Sequence, residues 1–484
     1  MRMLKTWPAL SLAALTGCVS MAPRYRVPEA PVPKAWSAET TPAGRAAADL
    51  AWQDFFVDRR LRQVLDLALR NNRDLRIAAL NAERARAAYR IQRADLLPRV
   101  SAIGQGTKQR LPASVSGTGQ ALVVEQDAVS VGVSAWELDL FGRVRSLKNQ
   151  ALEQYLATEQ ARNGAQIALL GEVASTYLAL AADRENLQLA QDTLANQEAS
   201  AKLIRRRFEV GASSELDVHR AQVSVETARG DVARYTRAVA LDGNTLRLLV
   251  GSEVPADWLP EALGSAPALQ DLAPGLPSET LARRPDILAA EHQLKAANAN
   301  IGAARAAFFP RITLTSSLGT MGSELSGLFK TGSDTWAFSP QVVLPIFDTG
   351  ARRANLKAAH AGRDLALAQY EKALQVAFRE VADALVQRDT LGDQLAAQTA
   401  LVQALEGAHR LAQARYTAGL DGYLSVLDAQ RSLYAAQQGL IVLRQAKAGS
   451  LIGLYKVLGG GWRPSTPPAA DTASPGPAKA ASVP

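Results

Sequence analysis

Apolar and polar residues alternate one by one in two short stretches and recur at helical spacing over most of the remaining chain. Val129, Val131, Val133 and Ala135 alternate with Ser130, Gly132, Ser134 and Trp136. Later, Ile312 and Leu314 alternate with Thr313 and Thr315, and Trp336, Phe338, Val342, Leu344 and Ile346 share one face. A period of two predicts strands with one apolar face. Turn residues around Gly117 and Gly119, and from Met321 to Ser323, fold each stretch into a hairpin. Four strands are expected, in hairpins over 99–141 and 311–347.

Proline marks where helices can run. None lies between Pro112 and Pro255, or between Pro345 and Pro464. Proline breaks helix interiors, so these runs, rich in Ala, Leu, Gln, Arg and Glu, predict long helices over 143–209 and 351–417. Each is 67 residues, against a usual helix of about 11–12. Such a helix would extend about 100 Å. In the second, Leu374, Phe378, Val381, Leu385, Leu395 and Val402 follow heptad-like spacing, and 18 alanines permit close approach of neighbours. A helix of this length must pack laterally, within its own chain or against a partner.

The two halves repeat. Arg93 to Arg99 resembles Arg305 to Arg311 at an offset of 212. Arg207, Gly211, Leu216, Val218, Ala221 and Gln222 match Arg415, Gly419, Leu424, Val426, Ala429 and Gln430 at an offset of 208. Self-similarity at a near-constant offset signals a duplicated unit, and the four-residue change belongs to a loop between the matches. The expected organisation is a signal peptide over 1–17, an extended segment over 18–57, repeat 1 over 58–250, a Pro-rich connector over 251–277, repeat 2 over 278–459 and a disordered tail over 460–484. Each repeat runs helix, hairpin, long helix, helix, so the fold class is mainly α with a β part, membrane β if the hairpins enter a bilayer.

Composition narrows the chemistry. The chain has 484 residues, a single cysteine, four histidines and a net charge of +8. The lone cysteine excludes a disulfide framework and Cys-rich metal sites. Basic residues are interspersed with acids and form no aromatic-studded stripe, which argues against nucleic acid. His219, His292, His360 and His409 belong to no ligand motif, and surface helix positions are expected for them. No nucleophile elbow, P-loop or dinucleotide fingerprint occurs. Neither a catalytic residue, a cofactor nor a bound metal is therefore expected.

Arg2 and Lys5, the apolar run Trp7 to Leu15, and then Thr16, Gly17 and Cys18 form a secretory signal. Its core is too short to span a bilayer. Leu15 to Cys18 resembles the lipobox of bacterial lipoproteins, which implies acylation of Cys18, and Val19 after it favours the outer membrane. No internal stretch reads as a transmembrane helix; Ile167 to Ala182 comes closest and Glu172 interrupts it. Four strands cannot close a barrel, for which about eight is the minimum, and a bilayer does not tolerate an open sheet edge. If the hairpins enter a membrane, the chain must oligomerise; a soluble helical bundle with two surface hairpins fits the same pattern.

The lipobox, the duplicated pattern, Leu140 to Arg143, Ala282 to Asp286, Arg415 to Gly419 and Tyr423 to Arg431 resemble the outer-membrane efflux proteins of the TolC and OprM type, in particular the lipidated NodT-like members. That resemblance implies a homotrimer whose 12-stranded barrel continues into a periplasmic α-helical tunnel. It further implies a periplasmic adaptor and an inner-membrane pump, proton-driven, exporting small molecules such as drugs or metal ions. The helix–turn–helix tips would face the adaptor, through Arg207, Gly211, Leu216 and Val218 in the first and Arg415, Gly419 and Tyr423 in the second. Leu424, Asp428 and Arg431 match the positions of the family's gate, with Tyr416 as a hydrogen-bonding neighbour. Their i, i+4, i+7 spacing allows one shared face; an ordinary surface pair of Asp428 with Arg431 remains the alternative. A duct for ATP-driven protein secretion and a periplasmic coiled-coil lipoprotein are the other readings of the chain. Cys18→Ala is expected to abolish acylation, read as the mass of the mature N-terminal peptide.

Overall fold

A computed structural model describes residues 20–33, 50–263 and 281–462. The signal peptide, Cys18, much of the connector and residues 463–484 lie outside the described residues. The elements, in order, are α1 (Trp52–Phe55), α2 (Arg59–Asn71), α3 (Arg73–Ala94), β1 (Val100–Leu111), β2 (Leu122–Glu137), α4 (Arg143–Glu209), α5 (Glu215–Val250), α6 (Pro285–Ala306), β3 (Arg311–Gly322), β4 (Asp334–Val343), α7 (Ala351–Thr417) and α8 (Tyr423–Val457). Both long helices, α4 and α7, have 67 residues. The segment expected to be extended up to residue 57 contains the helical turn α1, and Gly460 to Trp462, expected in the tail, are placed: the Gly461 carbonyl accepts from Gln166 at 2.9 Å. The chain divides into two compact units.

Of the described residues, the first unit comprises 20–30, 79–160 and 288–373. Its sheet is antiparallel in the order β1-β2-β3-β4, so β1 and β4 are its edges. Pro340, opposite Leu314 in β4, sits where an edge strand tolerates a missing donor. Directly opposed residues share a face, which places Val129, Val131 and Val133 with Leu318, Ile312, Trp336, Phe338 and Val342. The simple alternation fails at one point. Ser134 and Ala135 together oppose Thr315, a β-bulge. Ala135 takes φ +49° and donates its N–H to Thr315 Oγ1 at 3.1 Å. The extra residue returns Trp136 to the apolar face and turns Glu137 to the polar one. Leu344 and Ile346 lie beyond the end of β4 and are exposed.

Residues 20–26 lie along α6. Asn298 donates to the Pro23 carbonyl at 2.8 Å, Arg305 to that of Met21 at 3.2 Å, and Tyr25 to Glu291 at 3.1 Å. Gly302 makes this approach possible, because a Cβ there would stand 2.9 Å from the Ala22 Cα. His292, expected on the surface, is instead half-buried and bonded to Glu153 at 2.6 Å.

Of the described residues, the second unit comprises 31–33, 50–78, 161–263, 281–287 and 374–462. Its core gathers Phe55, Phe56 and Leu61 with Val173, Leu180, Leu246, Leu385 and Leu454, all essentially without exposure. Phe55 stacks on Tyr455 at 4.0 Å, and the Tyr455 hydroxyl donates to the Leu50 carbonyl at 2.7 Å, satisfying a polar group that burial would otherwise penalise. A window in α4 reaches a mean hydropathy of 1.4, enough by length and composition to cross a bilayer; 61% of it is buried inside the protein. A helix that supplies the core from several sides needs that apolarity.

Arg284 is the main buried ion. Its guanidinium meets Asp286 at 2.7 and 3.0 Å, Glu380 at 2.7 Å and the Val457 carbonyl at 2.8 Å, so the start of α6, α7 and the end of α8 are tied at one point. A less settled contact joins α4 to α5, where the Asp183 and Asp242 carboxyls influence one another. Burial, then the Asp183 charge, push the Asp242 carboxyl up to about 6. The folded state thus binds a proton more tightly than the unfolded chain. Stability from this pair is complete in acid and is lost as pH rises through about 6. The melting temperature is accordingly expected to fall between pH 5 and pH 7.5, and Asp242→Asn to flatten that part of the profile, measured by thermal unfolding followed by circular dichroism.

Candidate functional site

The two helix–turn–helix tips are built alike. At the end of α4, Gly211 adopts φ +77°, its N–H bonds the Phe208 carbonyl at 2.9 Å, and the Ala212 N–H bonds that of Arg207 at 2.7 Å. At the end of α7, Gly419 adopts φ +74°, with matching bonds from Gly419 to Tyr416 at 3.1 Å and from Leu420 to Arg415 at 2.9 Å. These are Schellman caps, which need a left-handed residue to satisfy the last carbonyls. The helices leaving the turns start differently. Ser214 and Asp217 form a capping box at α5, whereas Gly422 caps α8 without a side chain. In the second turn Arg415 supplies the lock, gripping Asp421 at 2.6 and 3.0 Å. The guanidinium holds the Asp421 carboxyl below its ordinary range.

The tips pack against one another. Ile204, Ala221, Tyr423, Val426 and Leu427 are buried together, with Val218 and Tyr416 against them. Tyr423, expected to face outward, is therefore a core residue, 6% exposed, and burial pushes its hydroxyl up to about 12. Tyr416 is held by neighbours too: the Arg207 guanidinium lies 5.0 Å over its ring, and Tyr423 is 5.5 Å away. What remains at the surface is apolar as well as charged, with Val210, Leu216 and Leu420 all more than half exposed.

Leu424, Asp428 and Arg431 lie on one exposed face of α8, turned away from Tyr423, Val426 and Leu427. Within the chain Asp428 and Arg431 form no ion pair among the described residues, so both charges remain available at that face. Further along, α8 is tied to α5 by Tyr434 donating to Asp231 at 3.0 Å and Gln438 to the Tyr235 hydroxyl at 3.0 Å. These ties, the Asp421 lock and the Arg207–Tyr416 contact were not readable from spacing, because each joins residues on different helices or across a turn. The Ser214/Asp217 box carries a readable signal, a Ser followed three residues later by an acid.

Residues 64–252 and 276–460 match the family model described as outer membrane efflux protein, one match per repeat. The toluene efflux pump outer membrane protein TtgC of Pseudomonas putida is 49% identical over 471 residues, spanning 96% of this chain and 97% of that protein. The antibiotic efflux pump outer membrane protein ArpC of Pseudomonas putida shows the same identity and coverage. Among solved structures, the open state of the MtrE outer membrane channel of Neisseria gonorrhoeae superposes with a TM-score of 0.85 at 39% identity, covering 92% of this chain and 99% of that one.

Gly419→Ala, which forces a side chain into the left-handed region, is expected to cost about 1 kcal/mol. Arg415→Gln, at an exposed pair, should leave the melting temperature nearly unchanged. It should instead speed amide hydrogen exchange across residues 417–422, a split read by combining calorimetry with exchange mass spectrometry.

Proposed function

The chain belongs to the family of outer membrane efflux proteins, and on that premise we propose that three copies close a 12-stranded barrel which continues into a periplasmic helical tunnel. It is an outer-membrane channel of an efflux system, not an enzyme. The observation that carries the trimer is the sheet. Four strands with two unpaired edges and an apolar band on one face cannot stand alone in lipid, and pairing β1 of one copy with β4 of the next removes every edge. Acylation at Cys18 would add a lipid anchor beside the barrel.

In this reading the tips meet a periplasmic adaptor through the exposed Val210, Leu216 and Leu420 with Arg207 and Arg415 around them, and the turn glycines Gly211 and Gly419 give the tips their form. Val218 and Tyr423 support that surface from beneath. The adaptor links the duct to an inner-membrane pump, proton-driven, which selects the cargo. Since relatives bear the names of toluene and antibiotic pumps, small apolar or amphipathic molecules are the proposed cargo.

Leu424, Asp428 and Arg431 form the gate. Three copies of that face around an axis would bring an apolar ring and three like carboxylates together, with Arg431 of each copy free to pair between chains. Tyr416 acts by holding the turn in place. Purified protein in detergent is expected to have the mass of three chains and to form small, mostly closed channels in planar bilayers. Asp428→Ala combined with Arg431→Ala should raise the open probability and admit large antibiotics to cells. A monomeric mass would sink the trimer, and unchanged conductance and leak in the double variant would sink the gate.

A further inference from the structure

We infer that an arginine collar at the base of the sheet biases ion passage through the barrel toward anions, an inference that rests on the channel reading above and adds to whatever charge the gate presents. The register assigns every ionised residue in the strands to a face. Lys108, Arg110, Glu125, Asp127 and Asp334 share the parity of the apolar, lipid-directed face. The opposite face carries uncharged hydroxyls and amides, among them Gln105, Thr107, Ser130, Thr315, Ser317 and Gln341, interspersed with aliphatic side chains such as Ile103, Val124 and Val343. Its only ionised residues are Arg311, at the start of β3, and Glu137, at the end of β2.

Glu137 is on that face because of the bulge at Ser134 and Ala135; a regular strand would point it into lipid. Its carboxylate, 10% exposed, is gripped by Arg143 at 2.6 and 2.8 Å and by Arg311 at 2.8 Å. Arg99, paired with Asp95, lines the same cavity of about 290 Å³ as Glu137, Arg143 and Arg311. Three guanidiniums therefore stand against two carboxylates, leaving one positive charge per chain. The Arg311 side chain is 58% exposed, so its charge is presented rather than buried.

Around a trimer axis this makes three uncompensated positive charges at one mouth of an otherwise neutral wall. A cleft or passage lined by one sign of charge concentrates counter-ions. The collar accordingly favours small anions and solutes carrying a carboxylate or phosphate, and disfavours cations of the same size.

The test uses the full chain in planar bilayers under a KCl gradient, with the chloride-to-potassium permeability ratio as the reading. Near 0.1 M salt, where charges act over about 10 Å, Arg311→Gln and Arg99→Gln should each lower that ratio about two-fold. Arg311→Lys should keep it, and Lys108→Gln, on the other face, should not move it. Near 1 M salt, with a screening length of about 3 Å, the differences should collapse. Conducting Arg311→Gln and Arg99→Gln channels with an unaltered ratio would overturn the inference. If Arg311→Gln fails to assemble, Arg99→Gln decides alone, because its side chain bonds only Asp95 among the described residues. Absence of any pore from the unaltered protein would count against the channel reading instead.

Discussion

An unpaired strand edge is the constraint on which the rest of the molecule turns. In water the outer N–H and C=O groups of β1 and β4 can bond solvent; in a bilayer each would cost several kcal/mol. The apolar face of Trp336, Phe338 and Val342 directs the sheet toward lipid all the same. Only pairing between copies reconciles the two demands, so the proposed assembly follows from backbone hydrogen bonding before any side chain is considered. Repetition within the chain serves the same end, since each repeat contributes one hairpin and neither could close anything alone.

Much of this was legible from pattern. Proline-free runs rich in Ala, Leu, Gln, Arg and Glu announce α4 and α7, because neither contains a proline to break the helix interior. The glycines at 211 and 419 announce the caps, because a left-handed residue is what a Schellman turn requires. Strand alternation announces the hairpins and which face is apolar. Chain order, however, says little about contacts between helices distant in sequence. The burial of Tyr423, the half-buried His292–Glu153 pair and the carboxyl pair Asp183–Asp242 all depend on how helices are packed, and a tyrosine or histidine at helical spacing looks the same whether it faces inward or outward.

The bulge illustrates a different limit. Alternation read through Ser134 and Ala135 puts Trp136 among the polar positions, one step out of phase with the structure. Nothing in those two small residues declares that both will oppose Thr315 alone. Once the bulge forms, an aromatic side chain reaches the apolar face and a carboxylate reaches the arginines, two favourable placements exchanged for one strained residue at φ +49°.

Residues 20–26 have a bearing on how the protein is made. Their partners, Glu291, Asn298, Gly302 and Arg305, stand some 270 residues later in the chain. That segment therefore has no seat until the first helix of the second repeat has been synthesised and delivered. Through that interval it must stay unengaged and open to proteases, and its docking onto α6 can serve as a signature that the segment ahead of the first repeat has found the second.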